Sequence, residues 1–122
     1  MKSILIVDDA PATLELLRRN LLSAGYRVLM ASSVAEATRT LENNHVDLVI
    51  TDLKMPGLGG EHLVRHVREN FSDTEVMIIT GYPSVKGAVE AVKTGAEDYL
   101  AKPFTEEELL STVERTLRKL YI

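Results

Sequence analysis

ILIVDDA, residues 4–10, places four apolar side chains directly before two adjacent carboxylates. A continuous apolar run of this length, ended by polar residues and then by Pro11, is typical of a strand that is buried on both faces. The two aspartates then stand at the carboxyl end of that strand, where like charges repel each other unless water solvates them or a cation lies between them. This stretch predicts both a parallel sheet and a polar site at one edge of it.

Four more strand-length runs follow, and segments with helical periodicity separate them. The predicted strands are residues 4–7, 26–30, 46–50, 75–79 and 97–101. Apolar residues that share one helical face are Leu14, Leu17 and Leu21, then Val85, Ala88, Val89 and Val92, and finally Leu110, Val113, Leu117 and Leu120. This alternation predicts one doubly wound α/β domain over residues 1–122, with helices on both faces of a five-stranded parallel sheet.

Local signals mark the ends of the predicted helices. Pro11 suits a first helical turn, and Gly25 suits a position just after a helix. Capping-box spacing occurs twice, in the pairs Ser33–Glu36 and Thr105–Glu108. Local chemistry and periodicity therefore predict the same helices.

The composition excludes several classes of protein. The chain has 122 residues, of which 45% are hydrophobic and 26% charged, as in an ordinary globular domain. It has no cysteine, which excludes disulfides and thiolate metal sites and predicts a cytoplasmic location. A net charge of -4 without a long Lys/Arg run argues against direct binding of nucleic acid. The N-terminal apolar run is too short for a signal peptide or a membrane span.

Polar residues follow the other strands as well, at the sheet edge where parallel α/β proteins bind ligands. The third strand ends in Thr51 and Asp52, the fourth in Thr80 and Gly81, and the fifth leads to Lys102. Three clustered carboxylates repel one another, and a divalent cation such as Mg²⁺, or Mn²⁺ in its place, removes that cost. The pattern predicts a metal site beside a bound phosphoryl group.

These residue types suggest a division of roles. Asp52 would be a carboxylate nucleophile that forms an aspartyl phosphate. Asp8 and Asp9 would anchor the metal, and Lys102 would neutralise charge on the phosphoryl oxygens. Thr80 would donate its hydroxyl to one of those oxygens. Each assignment is a hypothesis about a site that the fold would assemble.

The sequence closely resembles the receiver domain of two-component response regulators, the CheY-like superfamily. VDDAP (7–11), TDLKMPGLGG (51–60), TGYPS (80–84) and DYLAKPF (98–104) carry the resemblance. It implies a flavodoxin-like (βα)5 fold with strand order 2-1-3-4-5. It also implies a signalling domain rather than an enzyme, which takes a phosphoryl group from a phosphohistidine onto Asp52 and loses it slowly.

The resemblance implies further roles for individual residues. Asp9 would bind Mg²⁺ directly and Asp8 through water, with Asp52 and the backbone carbonyl of Lys54 completing the protein ligands. The Lys102–Pro103 bond would be cis. Thr80, with Gly81 beside it, would move toward the phosphate while Tyr99 rotates inward. That movement would reshape the surface of the fourth predicted helix, the fifth strand and the fifth predicted helix.

The resemblance also implies partners. One partner is a sensor histidine kinase or phosphotransfer protein. Another is an output domain or downstream protein, which would contact the surface of the fourth predicted helix, the fifth strand and the fifth predicted helix. A homodimer is also left open. Residues 80–104 look most like receivers attached to nitrogen-regulatory transcriptional activators, which predicts an output in transcription regulation.

Two other functions and two plainer interpretations stay open. A phosphatase of the haloacid dehalogenase type also uses an aspartyl phosphate, but its first strand carries a D-x-D pattern, whereas Asp8 is followed by Asp9. A phosphorylation-independent receiver would usually lack an acidic or lysine position, and this chain lacks none. Asp8 and Asp9 could instead form a solvated turn that caps the first helix. His62 and His66 are expected to face solvent, because no H-E-x-x-H pattern includes them.

Overall fold

The structure is a computed structural model that describes residues 1–55, 57, 59–81, 95–96 and 98–118. This part of the chain contains five strands and four helices. They are β1 (Ser3–Val7), α1 (Pro11–Ser23), β2 (Arg27–Ala31), α2 (Val34–Asn43), β3 (Leu48–Asp52), α3 (Gly60–Asn70), β4 (Glu75–Thr80), β5 (Asp98–Ala101) and α4 (Glu106–Arg118). α4 corresponds to the fifth predicted helix. The fourth predicted helix, with Val85 to Val92, and the predicted core residue Leu120 lie outside the described residues.

The strands form one parallel sheet in the order β2-β1-β3-β4-β5. This order confirms the predicted doubly wound α/β fold. β1 lies between β2 and β3, with Val7 opposite Ala31 on one side and Thr51 on the other. Residues 4–7 are at most 1% exposed, as the unbroken apolar run predicts for a strand covered on both faces. The register brings the carboxyl ends of β1 and β3 to the same edge.

Alternate residues of β1 point into two separate cores. Leu5 and Val7 belong to a cluster with side chains of α2 and α3, whereas Ile4 and Ile6 belong to a cluster with side chains of α1 and α4. This division follows from the two-residue period of a strand, which sends successive side chains to opposite faces. The sheet is therefore packed between two layers of helices. None of the described helices combines the length and apolar character that a membrane span needs.

The predicted helix ends are observed, with one change in detail. The hydroxyl of Ser33 accepts the Glu36 amide at 3.2 Å, but the Glu36 carboxylate accepts the hydroxyl of the neighbouring Ser32 at 2.8 Å. Thr105 and Glu108 form a complete capping box, with the two reciprocal bonds at 2.9 and 3.0 Å. Gly25 follows α1 with φ of 92°, a backbone conformation that favours glycine.

Three expectations need correction. The third strand was predicted at residues 46–50 but spans Leu48–Asp52, because Val46 is buried before strand pairing begins. Asp52 is therefore the last residue of a strand. In α4, Leu109 is fully buried while Leu110 is only partly so. His66 is half-buried and packs against Phe71, with ring centroids 5.8 Å apart, because Phe71 follows the last turn of α3; His62 is exposed as expected.

Candidate functional site

Three carboxylates meet at the carboxyl ends of β1 and β3. Asp8 and Asp9 follow β1, Asp52 ends β3, and one oxygen from each lies within 4.8 Å of the others. Asp8 is 2% exposed, Asp52 is half-buried and Asp9 is exposed. The structure thus brings together the three acidic residues that the sequence placed at strand ends, because β1 and β3 are neighbours in the sheet.

The ammonium group of Lys102 bridges two of these carboxylates. Its Nζ donates to Asp8 Oδ2 at 3.1 Å and to Asp52 Oδ2 at 2.9 Å. Burial alone would lower the pKa of Lys102, but the hydrogen bonds to Asp52 and Asp8 outweigh it and raise the pKa above its ordinary value. The lysine is therefore charged at neutral pH. Within the described part of the chain, Asp9 forms no such ion pair.

Backbone amides fix the other oxygens of the same two carboxylates. Asp8 Oδ1 accepts the Ala10 amide at 2.9 Å, and Asp52 Oδ1 accepts the Lys54 amide at 3.1 Å. Ala10 is the residue before α1, and the first turn of that helix receives no side-chain cap. The interpretation of Asp8 and Asp9 as a helix cap is therefore wrong; Asp8 orders its own turn and faces the site.

The donor set suits a hard divalent cation. It consists of carboxylate oxygens, and the Asp8 and Asp52 oxygens, which accept one hydrogen bond each, keep further lone pairs for a metal. The Lys102 ammonium contacts two of the three clustered carboxylates, so a further cation would lower the repulsion that remains among them. Exposed Asp9 lies on the side open to solvent. The residues present therefore fit Mg²⁺ or Mn²⁺ better than a soft metal.

The remaining predicted residues lie at the ends of β4 and β5. Thr80 ends β4 with 1% exposure and pairs with Ala101, while exposed Gly81 follows it. The Lys102 amide donates to the Thr80 carbonyl at 2.8 Å, and the Lys102–Pro103 bond is cis. Lys54 is exposed, and the metal role of its carbonyl stays a prediction.

Tyr99 lies opposite Ile78 in the sheet, two residues before Ala101. Its side chain packs partly buried against the core on the α2 and α3 side. Its hydroxyl is buried and makes no hydrogen bond in the described structure. A buried hydroxyl without a partner is unfavourable, and the predicted rotation of Tyr99 stays a prediction.

Sequence reasoning missed two residues that contact the main chain of Asp52. Thr51 donates its hydroxyl to the Asp52 carbonyl at 3.0 Å, and Gly60 at the start of α3 packs against the same carbonyl. The available signal was the Gly59–Gly60 pair, but a glycine pair also suits a flexible turn. Only the position of α3 against β3 shows that the glycine pair allows a close backbone contact and is not simply a flexible turn.

Comparisons with known proteins agree with this geometry. The sequence profile of the family described as "Response regulator receiver domain" matches residues 4–114. A "Response regulator MprA" of Mycobacterium sp. (strain KMS) is 40% identical over 116 residues, which cover 95% of this chain and 50% of that protein. The chain thus spans about half the length of the curated relatives it matches.

Two solved structures illustrate the similarity in fold. A CheY-like response regulator receiver domain protein from Methanospirillum hungatei JF-1 superposes with a TM-score of 0.93 and 30% identity, over 99% of this chain and 97% of that one. Response regulator protein TrrA from Thermotoga maritima, in complex with Mg²⁺-BeF, superposes with a TM-score of 0.86 and 32% identity, over 95% and 99% of the two chains.

Proposed function

This chain belongs to the response regulator receiver domain family of two-component systems, and on that premise we propose that Asp52 is its phosphoacceptor. The observation that supports this assignment is the meeting of Asp52 with Asp8, Asp9 and Lys102 at one edge of the sheet. A carboxylate held by an ammonium and a backbone amide is fixed in place, as a positioned nucleophile must be.

The proposed reaction transfers a phosphoryl group from a phosphohistidine of a partner protein. A carboxylate oxygen of Asp52 attacks phosphorus, the P–N bond breaks, and the imidazole leaves and takes up a proton. Lys102 then donates to the phosphoryl oxygens in place of its present carboxylate partners, and the Thr80 hydroxyl donates to another oxygen. Slow attack of water on phosphorus then breaks the P–O bond to Asp52, which releases inorganic phosphate and restores the carboxylate.

Asp8, Asp9, Asp52 and the Lys54 carbonyl would hold Mg²⁺ or Mn²⁺ in this proposal. When bound, the cation neutralises charge on the phosphoryl oxygens. The complex of Thermotoga maritima TrrA with Mg²⁺-BeF supports the same metal here. Asp8 also keeps Asp52 and Lys102 in register, because its second oxygen accepts from the same ammonium.

Incubation with Mg²⁺ and phosphoramidate, followed by intact mass measurement, tests the assignment. The wild-type protein should gain the mass of one phosphoryl group, and Asp52→Asn should gain none. Thr80→Ala is the matched comparison, because it keeps the nucleophile and should slow the reaction without abolishing it. A gain retained in Asp52→Asn, or none in the wild type, contradicts the proposal. Catalytic hydrolysis of a phosphate ester that is lost in Asp8→Asn but not in Asp52→Asn would favour the phosphatase alternative.

The partners are proposed at the same level. A sensor histidine kinase or phosphotransfer protein would supply the phosphoryl group. An output domain or downstream protein in transcription regulation would respond, since relatives of twice this length are named response regulators. None of the three proteins named above is described as a nitrogen-regulatory activator, so that subtype stays a prediction. Three other expectations also stay predictions: a homodimer, a single domain over residues 1–122 and the cytoplasmic location.

A further inference from the structure

The main-chain carbonyl of Asp52 is held from two sides. From the strand side, the hydroxyl of Thr51 donates to it at 3.0 Å, and Thr51 itself is fully buried. From the helix side, the backbone of Gly60 packs against it, and the Gly60 amide donates to the next carbonyl, that of Leu53, at 3.0 Å. The first residue of α3 thus sits directly on the peptide unit that joins Asp52 to Leu53.

Gly60 is required here for space and not for backbone conformation. The described glycines with positive φ are Gly25, Gly57 and Gly95, and Gly60 is not among them. A Cβ built on Gly60 would lie well inside 3.0 Å of the Asp52 carbonyl oxygen, a distance that real Cβ atoms do not show. It would also lie 3.0 Å from the carbonyl carbon and from Leu53 Cα. All three atoms are backbone, so no flexible side chain can move aside.

We propose that Gly60 and Thr51 form a main-chain clamp that positions Asp52 for phosphorylation. The inference rests on the proposed function. The Asp52 side chain must meet Lys102, the acidic pair and the incoming phosphoryl group together, and its Cα is fixed by the peptide unit that the clamp holds. A methyl group at position 60 would force α3 and this peptide unit apart by on the order of 1 Å. Movement of the peptide unit carries the Asp52 side chain with it, and a misplacement of this size at a reacting centre costs up to about 100-fold in rate.

The test compares Gly60→Ala with two glycine controls. In Gly59→Ala, the new methyl group would lie 3.2 Å from the Glu61 carboxylate and from the Leu53 carbonyl, a milder contact that requires shifts of a few tenths of an ångström. Gly25→Ala strains a turn with φ of 92° but has open space around it and is remote from Asp52, so it matches a loss of stability without a change at the site. Urea unfolding gives the folded fraction of each variant, and rates are expressed per folded molecule.

Phosphorylation rates are measured against phosphoramidate concentration at saturating Mg²⁺. Gly60→Ala should lower the saturating rate by about 10- to 100-fold. The half-saturating donor concentration should stay within about threefold, because Lys102 and Thr80 still bind the donor phosphate. Gly25→Ala should keep the wild-type saturating rate, and Gly59→Ala should lower it much less than Gly60→Ala does. A purely structural role for Gly60 predicts a wild-type rate per folded molecule, and that result overturns the inference.

Thr51→Val provides a second variant that does not depend on whether Gly60→Ala folds. It keeps the β-branched shape and removes only the hydroxyl that donates to the Asp52 carbonyl. The clamp predicts a fall of about 3- to 10-fold in the saturating rate. An unchanged rate in folded Thr51→Val overturns the clamp when Gly60→Ala is unfolded. Failure of the wild type to be phosphorylated on Asp52 would refute the proposed function instead, so the two failures are distinguishable.

Discussion

Replacing Lys102 by methionine should expose how much the acidic site depends on its bridging ammonium. The side chains of Asp8 and Asp52 are 3% and 13% exposed, so neither carboxylate regains full hydration when the lysine is lost. Hydrogen bonds to charged groups contribute about 1.5–3 kcal/mol each, and Lys102 is itself a quarter exposed, which favours the lower end. We expect Lys102→Met to lower the free energy of unfolding by about 3 kcal/mol at neutral pH without divalent cations.

A double-mutant cycle with Asp52→Asn isolates the charge interaction. Asp52→Asn removes one of the two carboxylates that Lys102 contacts, so Lys102→Met should cost only about half as much in that background. Urea unfolding in EDTA gives the four free energies. A coupling below about 0.5 kcal/mol would refute the reasoning, because the lysine would then stabilise the fold through packing alone.

The pH dependence of the same variant follows from the raised pKa of Lys102. A lysine whose pKa is higher in the folded state contributes its full stabilisation below the unfolded value, near 10.5, and loses it as the pH rises through the folded value. The difference between wild type and Lys102→Met should therefore be constant from pH 7 to 10 and shrink at higher pH. Added Mg²⁺ should reduce the difference at pH 7, because a bound cation replaces part of the lost charge.

Three further substitutions test other parts of the structure. Burial raises the pKa of Asp47, but hydrogen bonds from the Ser3 amide and His45, and the charge of Lys2, outweigh it, so the net pKa is below 3.8. The ionised Asp47 carboxylate therefore stabilises the fold at pH values above its unfolded pKa, and this stabilisation is lost as the pH falls through the lower folded pKa. Asp47→Asn should lower the free energy of unfolding by about 1–2 kcal/mol at pH 7 and progressively less below about pH 4. A cost that stays constant from about pH 2.5 to 7 would contradict this. Ser33→Ala removes the cap of α2 and should cost about 1 kcal/mol by urea unfolding, whereas no loss would mean that water replaces the hydroxyl. Arg115→Ala breaks a bidentate pair with Asp98, but the arginine is 56% exposed, so the expected cost is below about 1 kcal/mol and a loss above 2 kcal/mol would contradict this.

The sequence allows the sheet and the acidic cluster to be predicted because both depend on short-range patterns. An unbroken apolar run indicates a strand that is buried on both faces, and parallel strands bring their carboxyl ends to one edge of the sheet. The clustering of Asp8, Asp9 and Asp52 can therefore be predicted from their positions after these strands. The predicted start of β3 was wrong because the prediction relied on apolar character alone. Apolar character reports burial, and Val46 is buried without being paired in the sheet.

The features that were missed depend on how separate elements pack. Whether His66 faces solvent depends on the place of Phe71 after the last turn of α3, which helical periodicity does not contain. Whether Gly60 is a flexible turn residue or a site of close approach depends on the distance between α3 and the end of β3. Both distances are set by the whole core, so a pattern within a few residues cannot give them.

The position of Lys102 suggests how modification of one carboxylate would be felt elsewhere. Its ammonium ties Asp8 and Asp52 to the segment after β5, while its own amide is bonded to the Thr80 carbonyl at the end of β4. A phosphoryl group on Asp52 would offer this ammonium a stronger partner than either carboxylate, and we expect a carboxylate bond to be exchanged for one to phosphate. Because the main chain of Asp52 is held between Thr51 and Gly60, the nucleophile itself has little freedom to follow that exchange. In the proposed function, the side that carries Lys102, Thr80 and Tyr99 would then take up the adjustment. The buried hydroxyl of Tyr99 on that side has no hydrogen-bond partner in the described structure.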